Sequence, residues 1–159
     1  MIFRKKIILL SACILTSSFT FLYSQTSKIK ELEFQRLKLK NEIRLLKQFC
    51  KANGVYGAES YIRGFSGYVL EVLIINYGSF KKLLNAVKKW KDKQILDPAK
   101  HYKNKNEVLL NLIDSKKDSP LILIDPVQKN RNMAAGLSKK SFEDFISLAN
   151  NYDGSELFF

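Results

Sequence analysis

The chain has 159 residues, of which 46% are hydrophobic and 12% aromatic, so it is not an intrinsically disordered protein and has room for one folded domain. Its formal net charge of +12 is typical of a protein that meets a polyanion, such as nucleic acid or an anionic membrane surface. A lysine-rich solvated surface explains the same charge. One histidine excludes a multi-histidine metal site, and the distant Cys13 and Cys50 favour a reducing compartment over a disulfide scaffold.

Residues 1–24 form an apolar N-terminal segment. Arg4, Lys5 and Lys6 precede an apolar run over residues 7–23. A basic start followed by an apolar run is typical of signal peptides and short membrane anchors. An apolar helix that packs on a partner domain, or a non-native start from a rearranged gene, also explains these residues. The three alternatives stay open, although the pattern alone favours a membrane-directed segment.

A long amphipathic helix is predicted over residues 25–53. It begins at Thr26 or Ser27 and ends at Asn53-Gly54, since glycine commonly follows the last residue of a helix. Its apolar residues recur at helical spacings and predict one buried face: Ile29, Leu32, Leu39, Ile43, Leu46 and Cys50.

Five of the seven glycines lie in residues 54–78, which predicts tight turns leading into a buried helix. Ser66 is the predicted N-cap of that helix, which covers residues 68–76. Glu71 lies in its apolar sequence and needs a partner, for which Arg63 is the candidate. A loop that carries arginine and tyrosine at a helix N-terminus suits a phosphate or nucleotide, but a structural turn explains the same spacing and is favoured by spacing alone.

The second half of the chain predicts short elements. Ser79 begins a helix over residues 80–90, whose basic outer face either follows a phosphate backbone or is simply solvated, with Trp90 as an anchor. Residues 91–119 read as loops, with a short helix or strand at 107–113. A buried strand at 120–124, one helical turn at 131–135, a helix at 140–150 capped by Ser138, and a short tail at 153–159 complete the prediction.

Basic and aromatic residues on turns are the candidate binding residues, because they bind phosphates and stack on bases. The sequence contains no Gly-rich phosphate loop, no nucleophile elbow and no paired carboxylates of the kind that hold two divalent metal ions. The residues therefore predict a binding module. The candidates are Lys47, Lys51, Tyr56, Tyr61, Arg63, Tyr68, Lys129 and Arg131.

A set of short motifs, in order over residues 40–152, resembles the archaeal-type (class I) CCA-adding enzymes, which are tRNA nucleotidyltransferases. The resemblance implies a mainly α, helical substrate-binding domain at residues 54–152, of the type found in poly(A) polymerases and oligoadenylate synthetases, with one or two short strands. The motifs are Glu42-Ile43-Arg44-Leu45-Leu46-Lys47, Gly54-Val55-Tyr56-Gly57-Ala58-Glu59, Arg63-Gly64-Phe65-Ser66-Gly67-Tyr68, Tyr77-Gly78-Ser79-Phe80, Trp90, Asp125-Pro126-Val127 and Arg131-Asn132.

The resemblance also implies contacts with the incoming CTP or ATP and with the tRNA 3′ end. Lys51 matches a lysine that contacts the triphosphate, Tyr68 matches a nucleotide-contacting tyrosine, and Arg131 matches an arginine that reads the base edge. Ser60 stands where some members have a tyrosine, so Tyr61 is displaced by one position. Further candidate contacts with RNA or phosphate are Lys47, Tyr56, Tyr61, Arg63, Lys88 and Lys89.

In the resembling family, a catalytic head holds two Mg²⁺ ions and a C-terminal tail grips the tRNA. Neither pattern is found in this sequence, so we expect a truncated or split product that has no catalytic or metal-binding residues and is inactive alone. It would be cytoplasmic, and Mg²⁺ would act only with a separate head domain. The alternatives are a membrane-tethered, polyanion-binding protein, anchored through residues 4–23, and a non-functional gene remnant.

Overall fold

The computed structural model describes the backbone of residues 2–154 and the side chains of residues 24–154. Contacts divide the chain into two units, residues 1–38 and residues 39–159. The fold is mainly α, as predicted. The elements are α1 (Ile2–Ala52), α2 (Gly67–Tyr77), α3 (Phe80–Val87), β1 (Gln94–Leu96), α4 (Lys105–Asn111), a 3₁₀ turn (Asp114–Lys116), β2 (Leu121–Leu123) and α5 (Lys139–Asn151).

Helix α1 runs without interruption from Ile2 to Ala52, so the predicted start at Thr26 or Ser27 is wrong. Its sequence contains neither glycine nor proline, the two residues that most disfavour a helix interior. Burial of the predicted apolar face differs along the helix. Leu46 and Cys50, near its C-terminal end, are buried, whereas Ile29 and Leu32 are exposed.

The membrane-directed segment predicted at residues 4–23 concerns side chains that lie outside the described residues, as do residues 155–159 of the predicted tail. Among the described residues, no helix has a stretch long and apolar enough to cross a membrane.

Aromatic rings form the centre of the core of the second unit. The ring centroid of Phe145 in α5 lies 4.6 Å from that of Phe65, 6.2 Å from that of Trp90 and 6.3 Å from that of Phe49. Trp90 also stacks on Phe142, with a centroid separation of 5.7 Å and nearly parallel planes. These contacts tie α1, α5 and the segments before α2 and after α3 into one apolar cluster.

The predicted N-cap of helix α2, Ser66, is confirmed. Ser66 Oγ accepts a hydrogen bond from the Val69 amide at 3.3 Å. At the other end Gly78 adopts a left-handed conformation, φ 83°, and its amide donates to the Ile74 carbonyl. Because both ends are fixed, Tyr68 is held in the first turn of a buried helix.

Helix α3 begins after Ser79, as predicted, but it ends at Val87 rather than at residue 90. Glu42 of α1 adds a second N-terminal contact, since its Oε2 accepts from the Phe80 amide at 2.7 Å. Lys88 and Lys89 therefore lie in the turn that follows α3, and Trp90 is a core residue with 8% of its surface exposed.

Strands β1 and β2 pair in parallel, with Gln94, Ile95 and Leu96 opposite Leu121, Ile122 and Leu123. Strand β2 was predicted, whereas β1 lies in the region predicted as loops. Residues 105–111 form a helix, which resolves the choice left open there.

Residues 131–135, predicted as one turn of helix, form no helix, and residues 133–136 form hydrogen-bonded turns instead. Asn132 is buried, and its Oδ1 accepts from the backbone amides of Leu123 and Ala134, both at 3.0 Å. The side chain thus provides hydrogen bonds that compete with a helix, a common role of asparagine.

Candidate nucleotide-binding site

Asp125 is the centre of the candidate site, and it follows directly after β2 and Ile124. Only 2% of its surface is exposed. Its Oδ1 accepts hydrogen bonds from the Val127 amide at 2.8 Å and from the Tyr68 hydroxyl at 3.4 Å, while Oδ2 lies 3.5 Å from Arg131 Nη1. Two of the three predicted nucleotide contacts, Tyr68 and Arg131, thus meet at one buried carboxylate.

The backbone supports this arrangement. The Asp125 amide donates to the Arg131 carbonyl at 3.0 Å, which closes the turn between the two residues. The Gln128 amide makes a longer bond, 3.4 Å, to Asp125 Oδ1. Because the carboxylate has several donors, its burial is compensated. The guanidinium side chain of Arg131, 57% exposed, is held at its inner edge and open to solvent elsewhere.

Tyr68 keeps its proton at neutral pH. Partial burial, the negative charge of Asp125 and the hydrogen bond to Asp125 raise the pKa of the Tyr68 phenol, and Glu71 adds to the rise, whereas Arg131 lowers it. A protonated hydroxyl donates to Asp125, so the ring has a defined orientation. The remaining face of the ring, with the residue 43% exposed, is available to a planar ligand.

A second group, which we call the lysine cluster, consists of Lys47, Lys51 and Tyr56. Lys51 Nζ lies 5.0 Å from the centroid of the Tyr56 ring, a cation–π geometry. A Cβ on Gly67 would lie 3.2 Å from Tyr56 Oη and 3.6 Å from Lys47 Nζ, so the cluster packs against the start of α2.

The partner of Glu71 is Lys47, at 2.6 Å, and the predicted pairing with Arg63 is wrong. Glu71 lies on α2 one turn after Tyr68 and influences the charge state of its phenol. The lysine cluster and the Asp125 centre therefore flank the same end of α2. Asp125 pairs with Arg131, at 3.5 Å.

Other candidate residues lie apart from this centre. Tyr61 is 84% exposed, and Arg63 has a left-handed backbone, φ 48°, with its carbonyl accepting from the Ser138 amide at 2.8 Å. Lys88 and Lys89 are exposed beyond α3, and Lys129 is exposed in the turn after β2. Within residues 24–154, no hydrogen bond or ion pair joins these side chains to Asp125 or to the lysine cluster.

The carboxylates of the site do not form a metal centre in the described part of the chain, where no three His, Cys, Asp or Glu side chains are grouped to hold an ion.

The sequence did not reveal the central position of Asp125. A signal was present, because an acidic residue directly after a buried strand and before a proline has a fixed location at the end of that strand.

Comparisons with known proteins show the family of the chain. The family model described as tRNA nucleotidyltransferase, second domain, matches residues 41–159. The CCA-adding enzyme of Nanoarchaeum equitans is 48% identical over 114 residues, which cover 72% of this chain and 29% of that protein.

Two further relatives with the same name show the same partial coverage. The CCA-adding enzyme of Pyrococcus abyssi is 39% identical over 135 residues, covering 81% of this chain and 30% of the relative. That of Sulfolobus acidocaldarius is 46% identical over 108 residues, covering 67% and 23%. The chain thus spans less than a third of the length of these relatives. It belongs to the tRNA nucleotidyltransferase second-domain family, which it shares with archaeal CCA-adding enzymes.

Proposed function

We propose that this chain, chiefly residues 54–152 with the end of α1, is the substrate-binding part of a tRNA nucleotidyltransferase that adds CCA to tRNA. It would contact the incoming CTP or ATP and the tRNA 3′ end. The observation that carries the proposal is the meeting of Tyr68 and Arg131 at the buried carboxylate of Asp125, next to the lysine cluster.

Each residue has a chemical role in this proposal. Arg131 presents the free part of its planar guanidinium to acceptor atoms on the base, a geometry that suits C and A. Tyr68 offers its ring for stacking. Lys51 supplies a positive charge for the triphosphate, and Lys47 supplies a second charge that Glu71 partly neutralises.

The peripheral candidates have a simpler role. Tyr61, Arg63, Lys88 and Lys89 would contact RNA or phosphate at the margins of the site, and Tyr56 would do so within the lysine cluster. The exposed cations among them, Arg63, Lys88 and Lys89, would add affinity without base selection. The protein would act in the cytoplasm on tRNA, and the carboxylates and Mg²⁺ ions of the transfer step would come from a catalytic head domain.

CCA addition tests this function. We expect the 159-residue chain to add no nucleotide to a tRNA that lacks CCA when it is given CTP, ATP and Mg²⁺, and to support addition when mixed with the catalytic head domain of an archaeal CCA-adding enzyme. Robust addition by the chain alone would contradict the proposed division of labour.

Replacing Arg131 by alanine in the mixed assay should lower the preference for CTP over UTP about tenfold, since a hydrogen bond to a charged group contributes about 1.5 kcal/mol or more. The matched control is Lys139→Ala, which removes an exposed cation that faces Glu143 on α5. Unchanged base preference in the Arg131 variant, with transfer intact, would exclude the assigned role.

A further inference from the structure

One face of α1 carries a basic groove outside the Asp125 centre. The groove has a volume of about 370 Å³ and is lined by Lys40, Ile43, Arg44, Lys47 and Glu71, and we call it the α1 groove. Its three cations recur at intervals of four and three residues, so they lie on one face of the helix. Lys51 continues this row by four residues, which links the groove to the lysine cluster.

The charges of the α1 groove do not balance. Lys47 pairs with Glu71, at 2.6 Å. Lys40 and Arg44 are exposed, and neither forms an ion pair with any residue in the described range 24–154. The groove therefore keeps a surplus of two positive charges, held on a rigid helix whose inner face is anchored by Leu46 and Cys50.

The length of the row indicates the kind of polyanion. From Lys40 to Lys51 the helix advances by about 16 Å at about 1.5 Å per residue. Phosphates in a stacked nucleic-acid strand follow one another at roughly 3.4 Å along the axis, so the row is long enough for several of them. One nucleoside triphosphate offers three phosphates at one end of the row, which leaves Lys40 and Arg44 for a second ligand.

We infer that the α1 groove binds the phosphate backbone of an RNA strand, through Lys40 and Arg44. This inference rests on the proposed function, and it adds a strand-binding surface to the nucleotide site. Because exposed cations contact phosphates without reading bases, the groove contributes affinity and register but no base selection.

The test is the salt dependence of RNA binding by the 159-residue chain. The probe is an RNA minihelix of the tRNA acceptor stem with a single-stranded 3′ end. For Lys40→Gln/Arg44→Gln we expect the slope of log K against log salt to fall by about 1.4, at about 0.7 per phosphate contact with a single strand. When the salt concentration is lowered from 1 M to 0.1 M, the affinity of the variant relative to wild type should therefore fall about 25-fold. Lys47 stays intact because its pairing with Glu71 joins α1 to α2.

Two control variants accompany this test, one that keeps both charges of the groove and one that removes two charges elsewhere. Lys40→Arg/Arg44→Lys keeps both charges and should keep the wild-type slope. Lys103→Gln/Lys105→Gln removes two exposed cations near α4 and should leave the slope unchanged. CTP binding, measured separately, should be the same in all variants.

The other outcomes separate the two proposals. If wild type binds the minihelix and the Lys40/Arg44 double variant keeps its slope, the groove inference is wrong and the proposed function stands. If CTP binding falls and the RNA slope does not, the groove belongs to the triphosphate and the inference is again wrong. If wild type binds no RNA at any salt concentration, both proposals fail.

Discussion

Phe145→Ala is expected to lower the free energy of unfolding by about 3–5 kcal/mol, the usual cost of removing a buried aromatic ring. The Phe145 side chain is fully buried, and its ring contacts Phe49 from α1, Phe65 from the loop before α2, and Trp90 after α3. No single neighbour can fill the cavity, because its walls come from different segments. Urea denaturation followed by circular dichroism measures the loss.

The control for this change is Ile75→Ala on α2, whose side chain is 61% exposed. It should change the free energy of unfolding by no more than about 0.5 kcal/mol, as surface substitutions usually do. A loss below about 1 kcal/mol in the Phe145 variant would mean that the aromatic cluster is not the centre of the core.

Asp125→Asn is expected to disturb both the fold and the candidate site. The amide can still accept from the Val127 backbone, but it has no charge to hold Arg131. We expect a loss of about 1–2 kcal/mol in unfolding free energy, typical of weakening a hydrogen bond to a charged group. The freed guanidinium should then select C and A less well, as in the Arg131→Ala variant.

The same change has a spectroscopic consequence. Burial, the Asp125 charge and its hydrogen bond all raise the pKa of Tyr68, in that order of importance. The Asp125→Asn substitution removes the charge, so the pKa of Tyr68 should fall towards its ordinary value while the contribution of burial remains. Titration of the tyrosine ring carbons by NMR measures the shift.

Asp144→Asn is the matched control for Asp125→Asn. Asp144 is a partly exposed carboxylate that pairs with Lys140 on the same helix, at 2.6 Å. Such surface pairs contribute about 0–1 kcal/mol, so this variant should keep near-wild-type stability, the base preference and the pKa of Tyr68. Identical behaviour of the two variants would contradict the central position of Asp125.

Local signals predicted the helices of the second unit well. The caps Ser66, Gly78, Ser79 and Ser138 act through hydrogen bonds to residues at most four positions away, so the sequence contains all the information that they need. Helical periodicity likewise accounts for the buried residues of α5, Phe142, Phe145 and Ala149.

Contacts between distant segments could not be predicted in this way. Strand β1 has three residues and exists because it pairs with β2, whose register partners lie 27 positions later in the chain. Lys47 and Glu71 are 24 positions apart on separate helices, and nothing local distinguished Lys47 from Arg63 as the partner. The helical turn predicted at residues 131–135 was wrong for the same reason, because the buried Asn132 side chain accepts from the amide of Leu123, nine positions earlier.

The site could be predicted only in part, because its contacts also join residues that are far apart in the sequence. The motifs identified Tyr68 and Arg131, but the sequence did not show that both contact Asp125, since Tyr68 and Asp125 are separated by 57 positions. Lys51 was identified by motif, whereas its contact with the Tyr56 ring depends on how the glycine-rich loop folds back on α1.

The most direct test of the central claim is an NMR titration of the ¹⁵N-labelled chain with CTP, ATP and UTP. We predict that CTP and ATP shift the signals of Tyr68, Asp125, Arg131 and Lys51 together, and that UTP requires about tenfold higher concentration for the same shift, as expected for about 1.4 kcal/mol of base selection. Shifts of equal size and midpoint for all three nucleotides, or shifts confined to residues outside this group, would contradict the assignment of the Asp125 centre as the nucleotide site.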